Sequence, residues 1–141
     1  MPLSYNLIMK KIAFICIHNS CRSQMAEAVA KHLAGDRYEI YSAGTENYPE
    51  IKPMAKSVLL DKGYHGVLKQ FPKTLEVLPK KVDVLITMGC GVECPFIPTT
   101  FRTDWGLDDP SGKDLGAFLQ TLELIETRVK KLIDDLDNNR L

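Results

Sequence analysis

The chain has no excess of charge of either sign, because its 18 Lys and Arg residues balance its 18 Asp and Glu residues. Proteins that bind nucleic acid or membrane surfaces usually carry clustered positive charge, and this balance gives no support for either partner. The sequence also lacks an apolar run long enough to span a membrane and a secretory leader with a cleavage site. We therefore expect a cytoplasmic protein that binds neither nucleic acid nor membranes.

Cysteine is scarce as well, with four residues in a chain of 141. In a chain of this kind they are better interpreted as reactive or metal-binding thiols than as a secreted disulfide framework. With 45% hydrophobic side chains, the chain can bury an ordinary core without help from disulfides. We predict one domain over residues 1–141, with residues 1–8 as a disordered extension.

Strand-like and helix-like segments alternate along the chain. The apolar patterns predict strands at residues 11–17, 38–42, 82–88 and 99–103, and helices at residues 22–33, 53–60 and 115–136. Such alternation predicts an α/β fold, in which a parallel sheet carries helices on both faces. Ligands of these sheets bind beyond the carboxyl ends of the strands, so functional residues are expected just after the predicted strands.

The segment after the first predicted strand has the pattern of an oxyanion-binding loop. Five residues separate Cys16 from Arg22, which lets successive backbone N–H groups point inward around an anion. Arg22 adds a planar, two-pronged donor, and the same positive dipoles favour the thiolate form of Cys16. Cys16 is therefore a candidate nucleophile. The alternative, a buried cysteine that merely ends a strand, does not explain why strand, loop, arginine, serine and helix follow in this order.

Two further cysteines, Cys90 and Cys94, lie four residues apart after the third predicted strand. Gly89, Gly91 and Pro95 mark this loop as irregular, and the spacing permits a disulfide if the loop rearranges. A zinc site is one alternative, but the sequence offers no second pair of ligands at the usual spacing. A purely structural role for the pair is another. We expect no metal ion and no cofactor.

Four segments, in this order, resemble the low-molecular-weight protein tyrosine phosphatase superfamily and, within it, the thioredoxin-coupled arsenate reductases. They are residues 16–28, 41–44, 84–95 and 104–112. The resemblance extends from about residue 11 to the C-terminal helix. It implies a three-layer sandwich whose four-stranded parallel sheet has the strand order 2-1-3-4. The first and third strands are then neighbours, so Cys16 and Cys90 would open onto one crevice.

The resemblance implies that the chain reduces arsenate to arsenite. In the implied sequence Cys16 attacks arsenate, Cys90 attacks Cys16 and releases arsenite, and Cys94 resolves the resulting disulfide. Thioredoxin then reduces the Cys90–Cys94 bond, with a low-molecular-weight thiol and a glutaredoxin-like protein as the alternative donor. Phosphate and sulfate are expected to mimic arsenate. The expected oxyanion-binding residues are Ile17, His18, Asn19, Ser20, Cys21, Arg22 and Ser23.

The remaining candidates are a general acid and two supporting residues. Asp109 precedes Pro110 as in the Asp-Pro loop of the superfamily, which makes it the candidate acid, and Asp108 is the alternative. Ser23 either donates a hydrogen bond to the Cys16 thiolate or only caps the following helix. Cys21 is interpreted as structural.

Two other functions are open at this point. One is hydrolysis of phosphate monoesters through a phosphocysteine, for which Cys16, Arg22 and Asp109 suffice. The resemblance argues against it, because residues 111–113 are Ser-Gly-Lys where phosphatases of this superfamily commonly carry tyrosines. The other is a non-catalytic oxyanion or thiol sensor, which would not need nucleophile, arginine and acid together.

Overall fold

The structure is a computed structural model that describes residues 9–89 and 96–141. Residues 1–8, Cys90 and Cys94 therefore lie outside the described residues. The described chain contains four strands and three α-helices: β1 (Lys11–Cys16), α1 (Arg22–Ala34), β2 (Glu39–Gly44), α2 (Pro53–Asp61), β3 (Val82–Thr87), β4 (Thr99–Asp104) and α3 (Leu115–Asp137). Each matches a predicted element to within two residues at either end. Two short 3₁₀ helices, His65–Lys69 and Leu75–Val77, were not predicted.

All four strands form one parallel sheet in the order β2-β1-β3-β4, which confirms the expected topology. In the register, Cys16 lies opposite Gly44 of β2, and Ile15 lies opposite Thr87 of β3. The carboxyl ends of β1, β2 and β3 therefore finish at one edge of the sheet. The loop that begins at Cys16 and the chain that leaves β3 start side by side.

The two faces of β1 enter different parts of the core, because successive side chains of a strand point to opposite faces. Ile12 and Phe14 pack with residues of α1, α2 and α3 in the larger cluster. Ala13 and Ile15 belong to a smaller cluster on the other face, where the 3₁₀ helix Leu75–Val77 and neighbouring apolar residues cover the sheet. The buried apolar residues of all three α-helices thus belong to the larger cluster, and the helical segment on the second face is a 3₁₀ helix.

The long helix α3 owes its position to an apolar stripe at helical spacing. Its N-terminus is capped by Asp114, whose carboxylate accepts a hydrogen bond from the Ala117 N–H at 3.0 Å. The buried side chains of the stripe are Phe118, Thr121, Leu122, Ile125, Val129, Leu132, Ile133 and Leu136. Across residues 9–89 and 96–141, no helix has the length and apolar character needed to cross a membrane.

Candidate active site

The backbone after β1 curls into a tight loop between Cys16 and Arg22. Asn19 has φ of 55°, a left-handed conformation that asparagine tolerates better than most residues. Its N–H points back and donates to the Cys16 sulfur at 3.2 Å. Gly44, at the end of β2, lies against the loop: a Cβ there would be only 2.6 Å from the Ile17 carbonyl oxygen. The absence of a side chain at position 44 therefore lets the loop close.

The Cys16 thiol is buried and receives polar contacts from two sides. Its sulfur lies 2.8 Å from the Ser23 hydroxyl oxygen, in addition to the Asn19 N–H. The Asn19 side-chain amide donates to the same Ser23 oxygen at 2.7 Å, which leaves the hydroxyl proton available for the sulfur. The N-cap residue of α1 is Cys21, and Ser23 lies within the helix. Of the two contacts predicted for Ser23, the structure shows the one with the Cys16 sulfur.

Asn19 is fully buried and ties the loop to three other segments. Its amide nitrogen also donates to the Ser42 hydroxyl at 3.0 Å. Its amide oxygen accepts hydrogen bonds from the Gln24 side chain at 2.8 Å and from the Lys73 backbone N–H at 2.9 Å. All four polar positions of the amide are used, counting its bond to Ser23. The strained residue of the loop is thus fixed by its own side chain.

Behind Asn19 lies a buried carboxylate, that of Glu27, whose side chain is 5% exposed. It accepts a hydrogen bond from the Ser42 hydroxyl, and it pairs with Lys31 at 2.5 Å and with Lys73 at 3.4 Å. Burial lowers the pKa of Lys73, and the charge of Glu27 opposes that shift. A buried carboxylate is costly unless it is paired, so the two lysines allow Glu27 to hold Ser42 beneath the loop.

Arg22 connects the cysteine loop to the two other segments at this edge of the sheet. Its Nη1 donates to the Met88 carbonyl at 2.6 Å and to the Leu107 carbonyl at 2.7 Å. Its Nη2 lies 3.9 Å from the Asp109 carboxylate. The guanidinium side chain is only 9% exposed. These bonds fix the plane of the guanidinium before any anion binds.

Asp109 faces Arg22 across a small pocket of about 50 Å³. Its carboxylate accepts a hydrogen bond from the Ser111 N–H at 3.0 Å. Burial raises the pKa of Asp109, but the hydrogen bonds from Ser111 and the charge of Arg22 outweigh it, and the net pKa lies below its usual value. Asp108 instead lines a separate cavity of about 210 Å³. The pocket is lined by Cys16, Ile17, His18, Ser20, Cys21, Arg22, Asp109 and Ser111.

The second cysteine of the loop has a different environment from the first. Cys21 is buried, and burial raises its pKa to about 12, with further contributions from the charges of Asp109 and Cys16. A thiol with this pKa stays protonated near neutral pH and is a poor nucleophile. Its chemistry thus agrees with the structural interpretation of Cys21.

Three residues that were not predicted from the sequence lie near the pocket: Glu46, Tyr48 and Lys52. His18 lies 3.2 Å from the Glu46 carboxylate, and its ring centroid is 4.9 Å from that of Tyr48. The Lys52 ammonium donates to the Tyr48 hydroxyl at 2.6 Å. The Lys52 charge also lowers the pKa of Asp109. No motif marks Tyr48 or Lys52, because they reach the rim only through the folding of the chain after β2.

The structure brings together the predicted loop, Arg22 and Asp109, whereas Cys90 and Cys94 lie outside the described residues. The chain that leads to them does pass the pocket: a Cβ on Gly89 would be 3.4 Å from Nη1 of Arg22. A thiol with two donors, an oriented guanidinium and a carboxyl group around one cavity can bind a tetrahedral oxyanion and attack its central atom.

Comparisons with known proteins agree with this geometry. The family described as low molecular weight phosphotyrosine protein phosphatase matches residues 11–141. A curated relative, "Arsenate reductase 2" of Staphylococcus saprophyticus, is 32% identical over 136 residues, which cover 89% of this chain and 98% of the relative.

Two solved structures are similar over most of the chain. One is described as an arsenate reductase in the phosphate binding state; it is 35% identical with a TM-score of 0.77, over 90% of this chain and 98% of that one. The other is the thioredoxin-dependent arsenate reductase of Corynebacterium glutamicum, 32% identical with a TM-score of 0.78, over 96% of this chain and 67% of that one.

Proposed function

Because this chain belongs to the low molecular weight phosphotyrosine protein phosphatase family, we propose that it is an arsenate reductase recycled by thioredoxin. One observation carries the proposal: the chain leaving β3 is hydrogen-bonded to Arg22, which lines the cysteine pocket. Arg22 donates to the Met88 carbonyl, and Cys90 follows two residues later in the chain. A second thiol therefore follows, two residues along the sequence, a residue that contacts Arg22, and hydrolysis alone does not require such a thiol.

In the first step, the Cys16 thiolate attacks the arsenic atom of arsenate. Inward-pointing N–H groups of the loop and the Arg22 guanidinium hold the oxyanion. An As–S bond forms, the bond from arsenic to one arsenate hydroxyl group breaks, and that hydroxyl leaves as water after it receives a proton from Asp109. The hydrogen bonds from Ser23 and Asn19 stabilise the sulfur as an anion and aim it into the pocket.

The lowered pKa of Asp109 is compatible with this role, because a bound oxyanion changes the charges around the carboxylate. Arsenate adds negative charge beside the carboxylate and shares the positive charge of Arg22. Like charge disfavours an ionised carboxylate, so oxyanion binding raises the pKa of Asp109 and favours its protonated form.

In the second step, the Cys90 thiolate attacks the Cys16 sulfur. An S–S bond forms, the As–S bond breaks, and its electron pair remains on arsenic, which leaves as arsenite. Cys94 then attacks Cys90, Cys16 departs as a thiolate, and a Cys90–Cys94 disulfide remains. Thioredoxin reduces this disulfide with two electrons and restores the starting enzyme. A cytoplasmic location would supply that reductant.

A single-turnover experiment tests the proposal. Fully reduced protein mixed with arsenate, without added reductant, should release one arsenite per chain and form a Cys90–Cys94 disulfide, which peptide mapping detects. Cys16→Ser should release none, Cys90→Ser should stop at the arsenic adduct of Cys16, and Cys94→Ser should stop at a Cys16–Cys90 disulfide. Phosphate in place of arsenate should leave all thiols reduced.

The same experiment distinguishes the alternatives. Release of phosphate from aryl phosphates, with no arsenite formed, would identify a phosphatase that uses only Cys16, Arg22 and Asp109. In the described part of the chain, the wall beside Asp109 is Ser111, and the only ring among the pocket-lining residues is that of His18. Multiple turnovers with glutathione and glutaredoxin, without a Cys90–Cys94 disulfide, would instead contradict thioredoxin as the electron donor.

A further inference from the structure

Asp104, at the end of β4, binds the chain where it leaves β3. Its carboxylate oxygen Oδ1 accepts a hydrogen bond from the Thr87 hydroxyl at 2.5 Å and another from the Gly89 N–H at 2.7 Å. Cys90 is the next residue. We propose that Asp104 is a positioning residue for the second step of arsenate reduction, because it fixes the backbone from which Cys90 begins. This inference rests on the function proposed above.

The conformation of Gly89 explains why an external acceptor is needed. Gly89 has φ of +107°, and a Cβ there would be 3.1 Å from the Leu107 carbonyl oxygen and 3.4 Å from Nη1 of Arg22. A glycine is required for this path, but glycine also has more backbone freedom than any other residue. The hydrogen bond from its N–H to Asp104 selects one of the many available conformations.

Residues 87–89 are held from three directions. The Met88 N–H donates to the Ile15 carbonyl at 3.0 Å, and the Met88 carbonyl accepts from Arg22 at 2.6 Å. Asp104 supplies the third contact, from the β4 side. Of the three, the Arg22 contact belongs to the oxyanion pocket, whereas Asp104 does not line that pocket. Asp104 can therefore be changed without removing a group that touches the substrate.

The contribution of Asp104 should be specific to one chemical step. Oxyanion binding and attack by Cys16 use the loop, Arg22 and Asp109, which Asp104 does not contact in the described structure. Attack by Cys90 depends on where its backbone starts, and a misplacement of about 1 Å can slow a reaction about 100-fold. Removing the Asp104 carboxylate frees the Gly89 backbone and introduces no steric clash, so we expect arsenite release to slow about 10-fold.

The test is a rapid-mixing single turnover with arsenate, in which arsenite and the arsenic adduct of Cys16 are measured over time. Asp104→Ala should release arsenite about 10-fold more slowly and accumulate the adduct, while the inhibition constant for phosphate stays unchanged. The matched control is Asp83→Ala. Asp83 also accepts a backbone N–H, that of Lys11 at 2.8 Å, but at the opposite end of the sheet. This control should release arsenite at the wild-type rate.

Two further measurements connect the kinetic effect to the bonds themselves. Amide hydrogen exchange at Gly89 should be faster in Asp104→Ala than in the wild type, and unchanged in Asp83→Ala. Thr87→Val removes the second partner of Asp104 and should slow arsenite release in the same direction, and Thr87→Ser should restore it.

The outcomes separate this inference from the proposed function. If the wild-type protein releases no arsenite, the proposed function is wrong, and the positioning role is overturned with it, although Gly89 exchange would still report the hydrogen bond. If the wild type reduces arsenate and Asp104→Ala matches its rate, only the positioning role is wrong. A parallel loss of phosphate affinity in Asp104→Ala would also overturn it, since Asp104 would then act through the pocket.

Discussion

Replacing Asn19 by alanine should destabilise the protein more than any other single truncation in the loop. The side chain is fully buried and makes hydrogen bonds with Ser23, Ser42, Gln24 and the Lys73 backbone. Asn19→Ala removes all four bonds and leaves four polar groups without this partner. It also places alanine, whose methyl group makes no hydrogen bond, in a left-handed backbone conformation with φ of 55°.

The size of the effect follows from these two terms. A net loss of about 1 kcal/mol for each hydrogen bond gives about 4 kcal/mol for the amide. The left-handed backbone adds about 1 kcal/mol for alanine. Since whole domains are typically stable by about 5–15 kcal/mol, Asn19→Ala should remove a large part of the free energy of unfolding. Arsenite release should fall with it, because the Asn19 N–H and Ser23 both contact Cys16.

The backbone term can be measured separately. Asn19→Gly loses the same hydrogen bonds but relieves the left-handed strain, so it should be about 1 kcal/mol more stable than Asn19→Ala. Asn139 is a matched control, because it has φ of 56° but lies exposed near the C-terminus. Asn139→Ala should cost only the backbone term, about 1 kcal/mol.

Urea unfolding followed by circular dichroism provides all four free energies. The reasoning fails if Asn19→Ala lies within 1 kcal/mol of the wild type, since the hydrogen bonds of the amide would then contribute little. An Asn19→Gly variant less stable than Asn19→Ala would show that backbone strain at this position has been misjudged.

Three other changes test separate parts of the site. Asp109→Asn should lower kcat about 10²- to 10⁴-fold. Because folding lowers the pKa of Asp109, its carboxylate stabilises the folded state above the ordinary pKa of about 3.9, and this contribution is lost as the pH falls through the lower, folded-state pKa. The free energies of unfolding of the variant and the wild type should therefore converge in acid. Gly44→Ala should cost at least about 2 kcal/mol and abolish phosphate binding, since its Cβ would lie 2.6 Å from the Ile17 carbonyl oxygen. Ser23→Ala should slow alkylation of Cys16 by iodoacetamide about 10-fold, with recovery in Ser23→Thr. The first expectation is contradicted if Asp109→Asn leaves kcat unchanged, and the second if Gly44→Ala still binds phosphate. The third is contradicted if Ser23→Ala leaves the alkylation rate unchanged.

The order of the elements could be predicted from the sequence because apolar spacing is a local property. The stripe of α3 and the buried runs of β1 and β3 each lie within one stretch of chain. The 3₁₀ helix Leu75–Val77 has no such period, so it was not predicted. The strand order came from the resemblance, since no local pattern specifies which strands are neighbours.

The loop could be predicted for the same reason, because Cys16 and Arg22 are close in sequence. The contacts that orient Arg22 could not, since the Met88 and Leu107 carbonyls are 66 and 85 residues away. The role of Asp104 was missed because a single aspartate at a strand end has no distinguishing spacing. The spacing of Cys90 and Cys94 indicated a disulfide-compatible pair from the sequence, but their order in the relay came from the resemblance and stays a prediction.

The long-range bonds of Arg22 also bear on the order in which the molecule assembles. The nucleophile loop and α1 are made early in synthesis, but the carbonyls that hold the guanidinium come from residues 88 and 107. Closing such long stretches of chain costs entropy before the contact is gained, so we expect these two hydrogen bonds to form after the local structure of the loop and α1. A nascent chain that has not yet emerged beyond Leu107 therefore has its reactive cysteine but no finished anion site. We therefore expect the anion site to be complete only after the segments around residues 88 and 107 have packed against the loop.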